Sequence, residues 1–197
     1  MKRSFKLGLT GSIGMGKSTT AALFVAEGVP LWDADAAVHR LYASGGAAVA
    51  PMATLLPAAV RDGAVSRELI RDHLAADPSL LPRIEALVHP LVAADRDRFL
   101  AQASGDLVVL DIPLLFENGT EATLDATLLV TAPASLQRAR VMARPGMTEA
   151  HFQRILSRQM PDAEKRKRAT HIVETLDLAS TKAYIQALVR HIRDVNA

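Results

Sequence analysis

The sequence predicts an α/β fold in which helices cover a parallel β-sheet. Three observations predict it. Short apolar runs alternate along the chain with segments of helical spacing. Near the start, an apolar run passes through a glycine-rich turn directly into a helical pattern. Apolar residues make up 49% of the 197, while Phe, Trp and Tyr reach only 4%. A core of Ala, Leu, Val and Ile suits buried parallel strands under Ala-rich helices.

The elements follow in order. Residues 6–10 read as a first strand, 11–16 as a glycine-rich turn, and 17–27 as a helix with Ala21, Phe24 and Val25 at helical spacing. Gly28 and Pro30 end that helix. Residues 29–32 read as a second strand running into Asp33-Ala34-Asp35, and 35–42 as a helix stopped by Ser44-Gly45-Gly46. The stretch 47–102 holds Pro51, Pro57, Pro78, Pro82 and Pro90 between short helical patterns, with no convincing strand. It reads as a helical insertion whose helices start at Val65-Ser66, Asp77-Pro78 and His89-Pro90, the last running to about residue 103. Residues 107–111 are an apolar run ended by an acid, the pattern of a buried parallel strand. Residues 126–131 form a fourth strand and 135–143 a helix; after Pro145-Gly146, Thr148-Glu149 caps a helix reaching about residue 160. Residues 171–174 complete five strands, and 179–195 form a closing helix. No internal repeat or low-complexity tract is visible.

Composition excludes several chemistries. There is no cysteine, so disulfides, thiolate metal sites and cysteine nucleophiles are ruled out, which fits a cytoplasmic location. No run approaches 18 apolar residues, so no membrane span is expected. The start Met1-Lys2-Arg3-Ser4-Phe5-Lys6 is basic like a signal peptide, but a glycine-rich segment with Lys17 follows where an apolar stretch and cleavage site would stand. Net charge is only +2, yet residues 134–170 carry nine Arg and Lys against three acids. Such a patch favours an anionic partner, and on charge alone nucleic acid and phosphorylated small molecules fit equally.

The turn Gly11-Ser12-Ile13-Gly14-Met15-Gly16-Lys17-Ser18, followed by Thr19, meets the spacing G-x-x-x-x-G-K-S. Its glycines let the backbone turn tightly, so that amide N–H groups converge on phosphate oxygens. The following helix adds the positive end of its dipole. Lys17 offers a point charge to the β- and γ-phosphates of ATP, and the Ser18 hydroxyl is placed to bind Mg2+. The fold class is therefore a P-loop NTPase three-layer sandwich with a five-stranded parallel sheet. The D-x-x-G and N-K-x-D signatures of switch GTPases are missing, and the chain is short for a helicase or assembly ATPase. A small-molecule kinase remains, with a second substrate opposite ATP and a mobile basic lid.

An ordered set of further residues accompanies the loop. It comprises Leu9-Thr10 before the loop, Asp33-Ala34-Asp35 with His39, Val88-His89-Pro90, and Asp111-Ile112-Pro113-Leu114-Leu115-Phe116-Glu117. It ends with Gln137, Arg140, Arg144, Arg154, Gln159-Met160-Pro161 and Glu164-Lys165-Arg166. In these the chain resembles the bacterial dephospho-coenzyme A kinases along nearly its whole length. The resemblance implies transfer of the ATP γ-phosphate to the ribose 3′-hydroxyl of dephospho-CoA, the last step of CoA synthesis, with ATP and Mg2+ as donor and cofactor. It implies a core of residues 1–46, 104–133 and 169–197, an acceptor-binding insertion at 47–103 and a basic helical lid at 134–168. One departure from the usual pattern lies near the adenine, where Thr170 and Thr175 replace an aspartate and an asparagine; Thr175 is taken with the nucleotide-binding set.

Each site residue has a bland alternative. Asp33, at the end of the second strand, suits the general base that accepts the hydroxyl proton, or an N-cap. Asp35 suits a cap or a ligand to a magnesium-bound water, and His39 can pair with it on one helix face. Asp111 suits a magnesium-associated acid or a cap. Leu114, Leu115 and Phe116 are expected to wall the acceptor pocket; Glu117 is an acceptor contact or a surface charge. His89 is a substrate contact or a structural histidine. Arg140 and Arg144, four apart, are expected to flank an anion, with Arg140 on the transferring phosphate and Arg154 in the same lid. Lys165 to Arg168 reads as a solvated face. A nucleoside or other small-metabolite kinase is the runner-up. A nucleic-acid module is disfavoured because Phe152 is the only aromatic residue in 134–170.

Overall fold

The computed structural model describes residues 4–196; the basic start at 1–3 lies outside them. Two compact units are present, one reaching to Trp32 and resuming at Ala103, the other Asp33–Gln102.

The first unit is built on a parallel sheet. Its strands are β1 (Phe5–Thr10), β2 (Leu31–Asp33), β5 (Leu107–Asp111), β6 (Ala126–Thr131) and β7 (His171–Glu174), in the spatial order β2-β5-β1-β6-β7. Every residue of β5 and β6 is buried, which is why both read as unbroken apolar runs rather than as alternation. Register places Leu9 beside Asp111 on one side and Leu128 on the other. Alternate positions Leu7, Leu9, Leu107, Val109, Leu128 and Val130 share one face. They pack with Ala21 and Phe24 of α1 (Lys17–Ala26) and with Ile185, Leu188, Val189 and Ile192 of α9 (Leu178–Val195). On the opposite face, Gly8 has no side chain because Leu115 and Leu124 lie where its Cβ would stand. The rest of the unit is helical: α6 (Ala134–Met142), α7 (Glu149–Leu156) and α8 (Asp162–Arg168).

The second unit is helical with one small exception. Leu41, Tyr42, Met52, Ile70, Ile84 and Val88 form its core. They come from α2 (Ala34–Tyr42), α3 (Val49–Leu55), α4 (Arg67–Ala76) and α5 (Leu80–Gln102). Ser66 caps α4, as its position in the sequence suggests, accepting from the Leu69 amide at 3.3 Å. The exception is a hairpin, β3 (Val60–Arg61) with β4 (Ala64–Val65), where no strand was expected. Its turn is Asp62-Gly63, with φ of 50° and 72°, the two left-handed residues that a two-residue hairpin needs. Pro90 does not start a helix either. It lies inside the 23-residue α5 and is exposed, so the carbonyl it leaves without a donor can turn to water. Among the described residues no helix is long and apolar enough to cross a membrane.

Candidate active site

β1 delivers the chain into the glycine-rich loop, and α1 begins at Lys17 with Gly16 as a left-handed N-cap residue. The loop's own hydrogen bonds are few. The Met15 amide closes a turn onto the Ser12 carbonyl at 3.1 Å, and the Thr20 amide returns to the Gly16 carbonyl at 3.0 Å. The amides of Gly14, Gly16, Lys17, Ser18 and Thr19 have no acceptor among the described residues. Five donors at the positive end of a helix are an anion site. Ser18 and Thr19 are exposed in its first turn.

Lys17 and Asp111 meet beside this cradle. The Lys17 ammonium donates to Asp111 Oδ1 at 2.5 Å. Asp111 is buried and Lys17 half-buried, so the carboxylate at the end of β5 sets the ammonium's position. The acid at the end of β5 thus pairs with the loop lysine.

Asp33 ends β2 and caps α2, its Oδ1 accepting from the Ala36 amide at 2.9 Å. The Asp35 carbonyl accepts from Arg67 at 3.2 Å; Asp35 and His39 are both exposed, and no bond joins their side chains among the described residues. His89 is exposed on α5.

Arg140 lies on α6 and reaches Thr175, just past β7. Its Nη1 donates to Thr175 Oγ1 at 2.9 Å and its Nη2 to the Thr175 carbonyl at 2.6 Å. The Thr175 hydroxyl in turn donates to the Met15 carbonyl at 2.8 Å. Thr175 is buried beneath the loop, so its hydroxyl is spent inside the protein. Arg144 does not share a helix face with Arg140, because α6 ends at Met142; both Arg144 and Arg154 are exposed.

Three further expectations change. Leu115 is fully buried and packs over Gly8 in β1, so it is part of the core rather than an open wall. Glu117 is an internal clamp. Its Oε1 accepts from Lys165 at 2.9 Å and from the Met160 amide at 2.8 Å. Burial pushes its carboxyl up, but the hydrogen bonds from Lys165 and Met160 outweigh that and hold it below its usual value. Lys165 is therefore not on a solvated face: it is 1% exposed. Its neighbours are also engaged. Arg166 bonds Asp162 at 2.7 Å and Glu174 at 2.8 Å, and Arg168 pairs with Glu121 and lies over the Phe116 ring. Its hydrogen bonds to the Asp162 and Glu174 carboxylates raise the affinity of Arg166 for its proton.

Two glutamines grip the loop at one residue. Gln137 Nε2 donates to the Ile13 carbonyl at 2.8 Å, and the Ile13 amide donates to Gln159 Oε1 at 3.2 Å. Neither stands out by spacing or charge; only the ordered resemblance includes them. No group of three or more His, Cys, Asp or Glu side chains able to hold a metal occurs among the described residues.

A family model described as dephospho-CoA kinase matches residues 5–179. A dephospho-CoA kinase of Cereibacter sphaeroides is 69% identical over 192 residues, covering 98% of each chain. One from Ruegeria pomeroyi is 58% identical over 193 residues, again covering 98% of each. Among solved structures, a protein from Thermus thermophilus superposes with a TM-score of 0.86 at 37% identity, covering 96% of this chain and 98% of its own.

Proposed function

Because the chain belongs to the dephospho-CoA kinase family, we infer that it transfers the γ-phosphate of ATP to the ribose 3′-hydroxyl of dephospho-CoA, giving CoA and ADP. The observation that carries this reading is the cradle of partnerless amides beside the Lys17–Asp111 pair, 2.5 Å long. Phosphoryl transfer asks the protein mainly to position its reactants and to neutralise charge. Loop amides and Lys17 supply both for the β- and γ-phosphates.

Asp33 accepts the proton of the acceptor hydroxyl as its oxygen attacks the γ-phosphorus. The bond from that phosphorus to the bridging oxygen breaks, and ADP leaves with the electron pair. Arg140, with donors to spare beyond the two on Thr175, offsets charge on the transferring group. The acceptor is bound by the helical insertion, 47–103, with Asp33 and His89 among its contacts. The segment 134–168 closes as a lid.

Mg2+ fits the residues present in one manner. With no cluster of three ligating side chains among the described residues, the ion would take most of its shell from phosphate oxygens and water, held by the exposed Ser18 hydroxyl and by Asp111. Bound there, it would neutralise charge on the β- and γ-phosphates.

The test is ADP release measured across a panel of hydroxyl acceptors, with and without Mg2+. Turnover that requires both dephospho-CoA and Mg2+ supports the reading. Turnover with another acceptor alone replaces it with a different small-metabolite kinase.

A further inference from the structure

We infer that Gln137 and Thr175 are positioning residues that aim the amides of Gly14 and Gly16 at the nucleotide's phosphates. The inference rests on the phosphate-binding reading of the loop.

A trans peptide carries its C=O and the next residue's N–H in opposite directions. Holding one carbonyl therefore sets the direction of the amide that comes after it. The described residues contain no cis peptide bond. Gln137 Nε2 holds the Ile13 carbonyl at 2.8 Å, which fixes the Gly14 amide. The Thr175 hydroxyl holds the Met15 carbonyl at 2.8 Å, which fixes the Gly16 amide. Neither amide has an acceptor of its own among the described residues. The two supported peptides thus both carry donors without an acceptor among the described residues.

The Thr175 hydroxyl has a single proton to give. Arg140 Nη1 donates to its oxygen at 2.9 Å, and Arg140 Nη2 is anchored on the Thr175 carbonyl at 2.6 Å. That arrangement leaves the proton for a carbonyl, and Met15 at 2.8 Å is closer than Thr131 at 3.3 Å. Gln137 and Thr175 are 6% and 5% exposed, so water is a poor substitute for either donor. A loop carbonyl that lost its donor would gain by rotating toward solvent in the cradle, where it faces phosphate oxygens with the wrong sign of charge.

The glycines record how close the supports stand. A Cβ on Gly14 would come within 2.5 Å of Val141 Cγ2 and 2.9 Å of the Gln137 carbonyl, and one on Gly16 within 2.9 Å of Thr175 Oγ1. Their φ values of 77° and 92° are left-handed as well.

The experiment titrates inorganic tripolyphosphate into the full chain by calorimetry and measures KM for each substrate in parallel. Gln137→Leu and Thr175→Val should each weaken tripolyphosphate binding about tenfold. They should raise KM for ATP by a similar factor while leaving KM for dephospho-CoA unchanged. Thr175→Ser, which keeps the hydroxyl, should restore most of the affinity. If Gln137→Leu does not fold, the Thr175→Val and Thr175→Ser pair carries the same comparison. Variants that lose thermal stability yet bind tripolyphosphate as the wild type does would overturn the inference and leave the loop reading standing. A wild-type chain that binds no tripolyphosphate would overturn the loop reading itself, and the inference with it.

Discussion

The Lys165 ammonium lies 2.9 Å from Glu117 Oε1 in a site where the lysine is 1% exposed. The same carboxylate oxygen accepts from the Met160 amide at 2.8 Å, and Gln159, one residue earlier, accepts from Ile13 of the phosphate loop. One buried ion pair thus ties together the segment after β5, the turn before α8 and, through its neighbour, the loop.

Removing one partner of that pair leaves the other buried and charged. Lys165→Ala should destabilise the protein by about 3–5 kcal/mol. Joining Lys165→Met to Glu117→Gln leaves no charge and keeps an acceptor for Met160, so the double variant should be more stable than Lys165→Met alone. Urea denaturation of the single and double variants gives the coupling; strictly additive losses would contradict it.

Acid should find the same pair. Glu117 in the folded protein lies below its usual 4.5, so the folded state holds this proton less tightly than the unfolded chain does. Its contribution is complete above about pH 4.5 and is lost as pH falls through the lower folded value. The gap in thermal midpoint between wild type and Glu117→Gln should be constant above that pH and close below it. A gap that widens on acidification would reverse the assignment.

This pair also shows where sequence reading stops. The strands 107–111 and 126–131 are legible to the residue, because strands buried at every position leave apolar runs. The loop is legible because backbone geometry demands its glycines at fixed spacing. Lys165 is not legible: it sits in Lys165-Arg166-Lys167-Arg168, where composition says surface, and only a partner 48 positions away in sequence makes its burial tolerable. Pro90 reads as a helix start because its missing N–H suits a first turn, whereas solvent exposure lets α5 run through it. The β3–β4 hairpin is signalled by Asp62-Gly63 and escapes a periodicity reading because its strands are only two residues long.

Lys17 and Asp111 should separate catalysis from folding. In the proposed mechanism Lys17 meets the transferring phosphate, so Lys17→Ala should cost on the order of 10²–10³ in kcat. Asp111→Asn keeps an oxygen near the ammonium but no longer neutralises it, so turnover should fall while the fold persists. The paired measurements are steady-state ADP release and circular dichroism; a Lys17→Ala enzyme of normal turnover would remove the lysine from the mechanism.

Arg140 should not be replaceable by lysine. Its guanidinium spans two acceptors on one residue, Thr175 Oγ1 and the Thr175 carbonyl, and an ammonium cannot reproduce that planar fork. Arg140→Lys should therefore raise KM for ATP nearly as much as Arg140→Ala does. Recovery of wild-type KM in the lysine variant would mean that charge alone matters at this position.

Asp33 offers the sharpest division between a structural and a chemical role, because it already has the structural one. Its Oδ1 accepts from the Ala36 amide at 2.9 Å and caps α2. Asparagine caps helices as well as aspartate does but has no affinity for a proton at neutral pH. Asp33→Asn should leave the thermal midpoint nearly unchanged while lowering kcat by about 10²–10⁴, the range of a lost general base. Asp33→Ala should lower kcat equally and also cost about 1 kcal/mol of stability, as the cap is lost with the carboxylate. If Asp33→Asn turned over normally and only Asp33→Ala were impaired, Asp33 would be a cap, and the proton of the acceptor hydroxyl would have to leave by another route.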